Sequence, residues 1–154
     1  MGADDAFEKI LDVLPLATYR AGETILTAGS KSGRLLILKK GAVVILNDSI
    51  EIARVKEPGA VFGELSALLD QPHTANVQAL EDSQFHVADA TLVGKDLVAL
   101  LHIARILAGR IVEANRNFVE LKKQIQAGGS PGALSKMIQK IEEVLNVGGA
   151  SFET

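Results

Sequence analysis

Gly63-Glu64 stands between the apolar pair Val61-Phe62 and the run Leu65-Ser66-Ala67-Leu68-Leu69. Glycine turns the main chain tightly and lets a ligand come close. The apolar run predicts one short helix, whose first amides lack internal partners and point outward. Such a helix start receives an anion readily. Glu64 repels an anion, so its carboxylate suits a neutral donor such as a hydroxyl. Downstream, Pro72 stiffens the returning chain, His73 brings an imidazole and Thr74 a hydroxyl.

Read as one segment, Phe62-Gly63-Glu64-Leu65-Ser66-Ala67-Leu68-Leu69-Asp70-Gln71-Pro72-His73-Thr74-Ala75-Asn76-Val77 resembles the phosphate-binding cassette of cyclic nucleotide-binding domains. That cassette reads F-G-E-L/I-A-L, a short spacer, then P-R-S/T/A-A-T/S-V, and the match needs no insertion. It departs at one place: the family's arginine, which pairs with the cyclic phosphate, is His73 here. Upstream, Tyr19-Arg20-Ala21-Gly22-Glu23-Thr24-Ile25 resembles the family's Y-x-x-G-E-x-I. Leu35-Leu36-Ile37-Leu38-Lys39-Lys40-Gly41 resembles its L-Y-x-I-x-x-G, with Leu36 for the tyrosine. The resemblance covers residues 7 to 90.

The resemblance implies a ligand site at Phe62, Gly63, Glu64, Leu65, Ser66, His73, Thr74 and Ala75. The ligand it implies is a cyclic nucleotide, cAMP or cGMP, or a similar anion, with no metal and no catalysis. Glu64 takes the ribose hydroxyl, and the amides from Gly63 to Ser66 and the Thr74 hydroxyl take the phosphate. Histidine offers fewer donors than arginine's planar fork and is mostly neutral at pH 7. A nucleotide is therefore expected to bind weakly, with help from main-chain amides. A partly exposed loop histidine is the plainer reading of His73 alone. Two alternatives for the whole chain stay open: a degenerate roll serving as a ligand-free dimerising module, or a pocket for another small anion.

The surrounding elements fit this site. Asp5 and Glu8 suit a capping box that opens a short helix with Phe7, Ile10, Leu11 and Leu14 on one face, closed by Pro15. Short β-rich runs follow with glycine at the corners, which predicts an antiparallel, jelly-roll-like β-roll. Tyr19–Ile25 reads as one run. Asn76–Leu80 and Gln84–Val87 around Glu81-Asp82-Ser83 read as a hairpin. The fold class is α+β, with the roll over residues 16–90 and helices over 91–126. A linker and a C-terminal amphipathic helix are expected over 127–154. Leu100, Ala104, Leu107, Ile111, Ala114, Phe118, Leu121 and Ile125 recur at alternating steps of four and three, an a/d series. It predicts a homodimer through helix 97–126. After Gln126–Gly132, Ser130 and Pro131 suit the start of the last helix, with Leu134, Met137, Ile138, Ile141, Val144 and Leu145 on one face and Gly148-Gly149 as its stop.

Composition bounds the function. A net charge of −3 argues against a nucleic-acid surface, and zero cysteines exclude disulfides and thiolate metal sites. Cupins share the strand pattern but cluster their histidines, whereas His73, His86 and His102 lie in separate settings. Met1-Gly2 begins like a myristoylation signal, but Ala6 stands where that motif needs a hydroxyl. No run is long and apolar enough to span a membrane, so a cytoplasmic protein is expected. No base–nucleophile constellation is present. The residues after Gly132 are too few for a winged helix-turn-helix, so an unknown downstream protein is expected to read the signal.

Overall fold

The computed structural model describes residues 3–128 and Gly132. The chain divides into two units, Met1–Ile106 and Leu107–Thr154. The first opens with helix α1 (Ala3–Val13). Strands β1 (Leu16–Tyr19), β2 (Thr24–Leu26), β3 (Arg34–Lys40), β4 (Val43–Asn47), β5 (Ile50–Val55) and β6 (Val61–Phe62) follow. Then come α2 (Glu64–Leu69), β7 (Asn76–Ala79), β8 (Ser83–Asp89), α3 (Ala90–Lys95) and α4 (Leu97–Gly128). Among the described residues, no helix is long and apolar enough to cross a membrane.

The strands form two antiparallel four-stranded sheets, ordered β1-β8-β3-β6 and β2-β7-β4-β5. The expected antiparallel roll with an N-terminal helix is therefore the observed architecture. Period-two alternation sends Leu36, Leu38 and Phe85 into the space between the sheets, where they meet Ile25, Val43, Phe62 and Val77. The intervening residues Leu35, Ile37, His86 and Ala88 are buried as well. They face the other way, beneath α1 and the start of α4. Phe7, Leu11 and Leu14 come from α1 and Ala99 and Ile103 from α4, all buried. Phe7 stacks on His102 with ring centroids 3.7 Å apart.

Three local expectations change. First, α1 opens at Ala3, so Asp5 lies inside the first turn and does not cap it. A carboxylate there still favours the positive end of the helix dipole. Second, Tyr19–Ile25 is not one strand. It splits at Gly22 (φ 89°), and its halves join different sheets. Third, β7 and β8 are not a hairpin, since each pairs within its own sheet. The chain turns a corner there instead. The Ser83 hydroxyl takes the Ala42 amide at 3.2 Å and donates to the Glu81 carbonyl at 2.8 Å. Ala21 N donates to Asp82 at 2.9 Å, Gly22 N to Ala79 O at 2.7 Å, and Leu80 N to Ala42 O at 2.8 Å. Three sheet-to-sheet crossings are thus tied together at one end of the roll.

The second unit contributes the rest of α4. Leu107, Phe118 and Ile125 are half-buried, and Ile111 and Leu121 are exposed. The expected last helix, with its Ser130-Pro131 start and Gly148-Gly149 stop, lies outside the described residues.

His86 yields a pH prediction. Its ring is turned to the Leu11 carbonyl, while among the described residues its buried Nδ1 has no hydrogen-bond partner. Burial is the main force holding His86 below the ordinary histidine value, reinforced by Lys39 and opposed by that carbonyl, Asp12 and Glu8. The unfolded chain therefore binds the proton more readily. Stability from the neutral ring is complete above the unfolded value of about 6.5 and is lost as pH falls through it towards the folded one. The urea midpoint should drop between about pH 7.5 and about pH 5.5. His86→Gln, which keeps a donor but does not titrate, should shrink that drop.

Candidate functional site

At the other end of the roll, β2 runs out into the loop that leads to β3, and β6 runs into α2. Phe62, buried at the end of β6, pairs with Leu36 and meets Phe85 edge-to-face at 6.0 Å. The chain then turns at Gly63 with φ 83°, the left-handed region glycine tolerates. A second constraint acts at the same residue. A Cβ there would lie 2.5 Å from the Arg34 carbonyl oxygen. Gly63 is the N-cap of α2, and no side chain caps the first turn. Glu64 and Leu65 are half-buried in that turn. Asp70 ends the helix with φ 53° and returns its amide to Leu65 O.

The loop from α2 to β7 brings His73 back against Gly63. Its Cε1 lies 3.7 Å from the position of a Cβ on that glycine. His73 is 6% exposed, so it is not the partly exposed loop residue of the plainer reading. Its amide donates to Ser30 O at 2.9 Å, and its carbonyl accepts Gly29 N at 2.8 Å. Its Nε2 lies 3.1 Å from Ser32 Oγ. Ser66, buried on α2, accepts Ser32 N and Gly33 N, each at 2.9 Å. Asn76 accepts Ala28 N at 2.7 Å. The β2–β3 loop is thus clamped along the cassette. Thr74 is exposed and Ala75 half-buried beside it.

The structure places His73 beside Gly63 and joins His73 and Ser66 through Ser32. It adds Ser32 and Gly33, which sequence reasoning missed. The only signal was composition: Gly29-Ser30-Lys31-Ser32-Gly33 is rich in turn formers and hydroxyls, without a motif. Electrostatically the segment 62–77 carries Glu64 and Asp70 and neither lysine nor arginine. Lys31 reaches Asp70 at 3.6 Å, with both side chains substantially exposed. An exposed pair of this kind is weak. Any anion held here would rely on amides, hydroxyls and the imidazole. No group of three metal-ligating side chains occurs among the described residues.

Known proteins share this fold. The family described as "Cyclic nucleotide-binding domain" matches residues 16–93. The chain belongs to that family. It is 26% identical over 159 residues to human cGMP-dependent protein kinase 2, covering 96% of this chain and 21% of the kinase. The chain therefore spans about a fifth of that relative's length. Thermus thermophilus catabolite activator protein superposes with a TM-score of 0.65 at 22% identity, over 77% of this chain and 59% of the other, a likeness of fold. The structure of Sp-2Cl-cAMPS bound to PKAR CBD2 matches with a TM-score of 0.59 at 27% identity, over 74% and 75% of the two chains.

Two glycines separate backbone strain from close approach. Gly22→Ala meets nothing within 4 Å, so it should cost only the left-handed backbone term, about 1–2 kcal/mol. Gly63→Ala adds the collision with Arg34 and should cost at least about 1 kcal/mol more. Denaturant melts of the two variants check this difference, and equal losses would count against the close approach.

Proposed function

We propose that this domain senses a cyclic nucleotide of the cAMP or cGMP type through residues 62–75. The observation that carries this reading is the tight cassette turn. Gly63 opens a helix whose first turn has no side-chain cap, and His73 is folded back beside it. The amides of Gly63 to Ser66 and the exposed Thr74 hydroxyl take the cyclic phosphate, and Glu64 takes the ribose hydroxyl. The names of the similar proteins support the ligand class: one is a cGMP-dependent kinase and one holds a cAMP analogue. The domain binds and signals without turnover. Movement of the C-terminal helices carries the signal to a partner.

Binding is weak in this reading, because no permanent cation faces the phosphate. Calorimetric titration with cAMP and cGMP tests it. His73→Arg should bind the same nucleotide more tightly by roughly 1–3 kcal/mol, the range of a charge-assisted hydrogen bond. Absence of binding in both proteins would favour the ligand-free module. The engagement of His73 by Ser32 gives that second reading its support.

Dimerisation through α4 is the other half of the proposal. The first turns of α4 bury Ala99 and Ile103, whereas Leu100 and Ile111 are 39% and 61% exposed. At 3.6 residues per turn Leu100 and Ala104 lie roughly 90° around the helix from Ala99 and Ile103. That leaves an apolar stripe about 37 Å long from Leu100 to Ile125, at 1.5 Å per residue, for a second copy. Light scattering at micromolar concentration should give twice the 16.3 kDa chain mass. Ile111→Glu should return the monomer, because it would place a charge inside the seam. A wild-type monomer at every concentration would refute the dimer.

A further inference from the structure

The nitrogens of His73 are not equivalent. Nε2 faces Ser32 Oγ at 3.1 Å. Ser32 Oγ already accepts the Arg34 amide at 3.3 Å. That leaves its own proton and a second lone pair, and the proton can be given to Nε2. A neutral imidazole that accepts at one nitrogen must carry its proton on the other. The ring edge bearing both nitrogens faces Gly63, since the carbon between them is its closest approach to that residue. The backbone of His73 is held by its bonds to Ser30 and Gly29, and its ring is packed in a buried position.

We propose that Ser32 is a positioning residue of the site: its hydroxyl donates to His73 Nε2 and fixes the proton on Nδ1. The neutral ring then presents one aimed N–H donor at the cassette. Such a donor suits the single negative charge of a cyclic phosphodiester in a segment that already carries Glu64 and Asp70. Ser32 stands in for what a permanent cation does elsewhere, by orientation and not by charge. The ligand half of this proposal rests on the nucleotide reading above. The tautomer half does not, and it is measured without ligand.

The test uses the full chain, labelled with nitrogen-15, in long-range proton–nitrogen correlation spectra near neutral pH. The His73 signals are assigned by their loss in His73→Arg. Wild type should show the Nδ1–H tautomer. Ser32→Ala should shift the ring towards Nε2–H, and Ser32→Thr should restore it. Ser32 is exposed, so the alanine variant is expected to fold. With cAMP and cGMP as probes, Ser32→Ala should weaken binding roughly three- to tenfold, the effect of losing one neutral hydrogen bond, with recovery in Ser32→Thr. A wild-type Nε2–H ring, or a ring indifferent to Ser32→Ala, overturns the positioning role. A ring that responds to Ser32 in a protein that binds neither nucleotide, with or without His73→Arg, overturns the nucleotide reading and leaves Ser32 as a latch.

Discussion

The Ser66 hydroxyl accepts the amides of Ser32 and Gly33, and the whole cassette end of the roll depends on that clamp. Ser66 is buried, and its one hydroxyl ties down two main-chain donors of the loop. The clamp fixes the β2–β3 loop, and the fixed loop presents Ser30 and Gly29 to the backbone of His73. It also sets the Arg34 carbonyl where only a glycine can stand opposite, at position 63. The turn that opens α2 and the imidazole beside it therefore follow from one side chain on α2 itself.

The far end of the roll works by the same means with different residues. There Ser83 and Asp82 tie together the three places where the chain passes between sheets. Between the two ends lies the core around Phe85, Leu38 and Val43. A rigid sandwich with both ends tied leaves movement to the elements outside it. α1, α3 and the start of α4 rest on the outer face of one sheet through a smaller set of side chains. Sensing would use that division, with a stiff cassette reading the ligand and helices reporting it.

Much of this was legible in the sequence, and the reasons are local. Gly63, Glu64 and the apolar run state their own turn and helix. Strand β3 states itself as the continuous apolar run Leu35-Leu36-Ile37-Leu38, because both of its faces are buried. What was not legible depends on distant partners. Asn76–Ala79 and Ser83–Asp89 look like hairpin arms, because sequence shows the short gap and not the sheet each arm joins. Tyr19–Ile25 fails for the same reason at Gly22. Ser32 carries no pattern at all, since its importance comes from a contact with a residue 41 positions away.

The central claim is that residues 62–75 form the nucleotide site. The most direct measurement is a titration of cAMP and cGMP into nitrogen-15-labelled protein, followed by amide chemical shifts. The account predicts that one or both nucleotides move the amides of Gly63, Glu64, Leu65 and Ser66 together with those of His73, Thr74 and Ala75, with smaller changes in the clamped loop at Ser32 and Gly33. Spectra unchanged at millimolar nucleotide, or changes confined to residues away from the cassette, would contradict it.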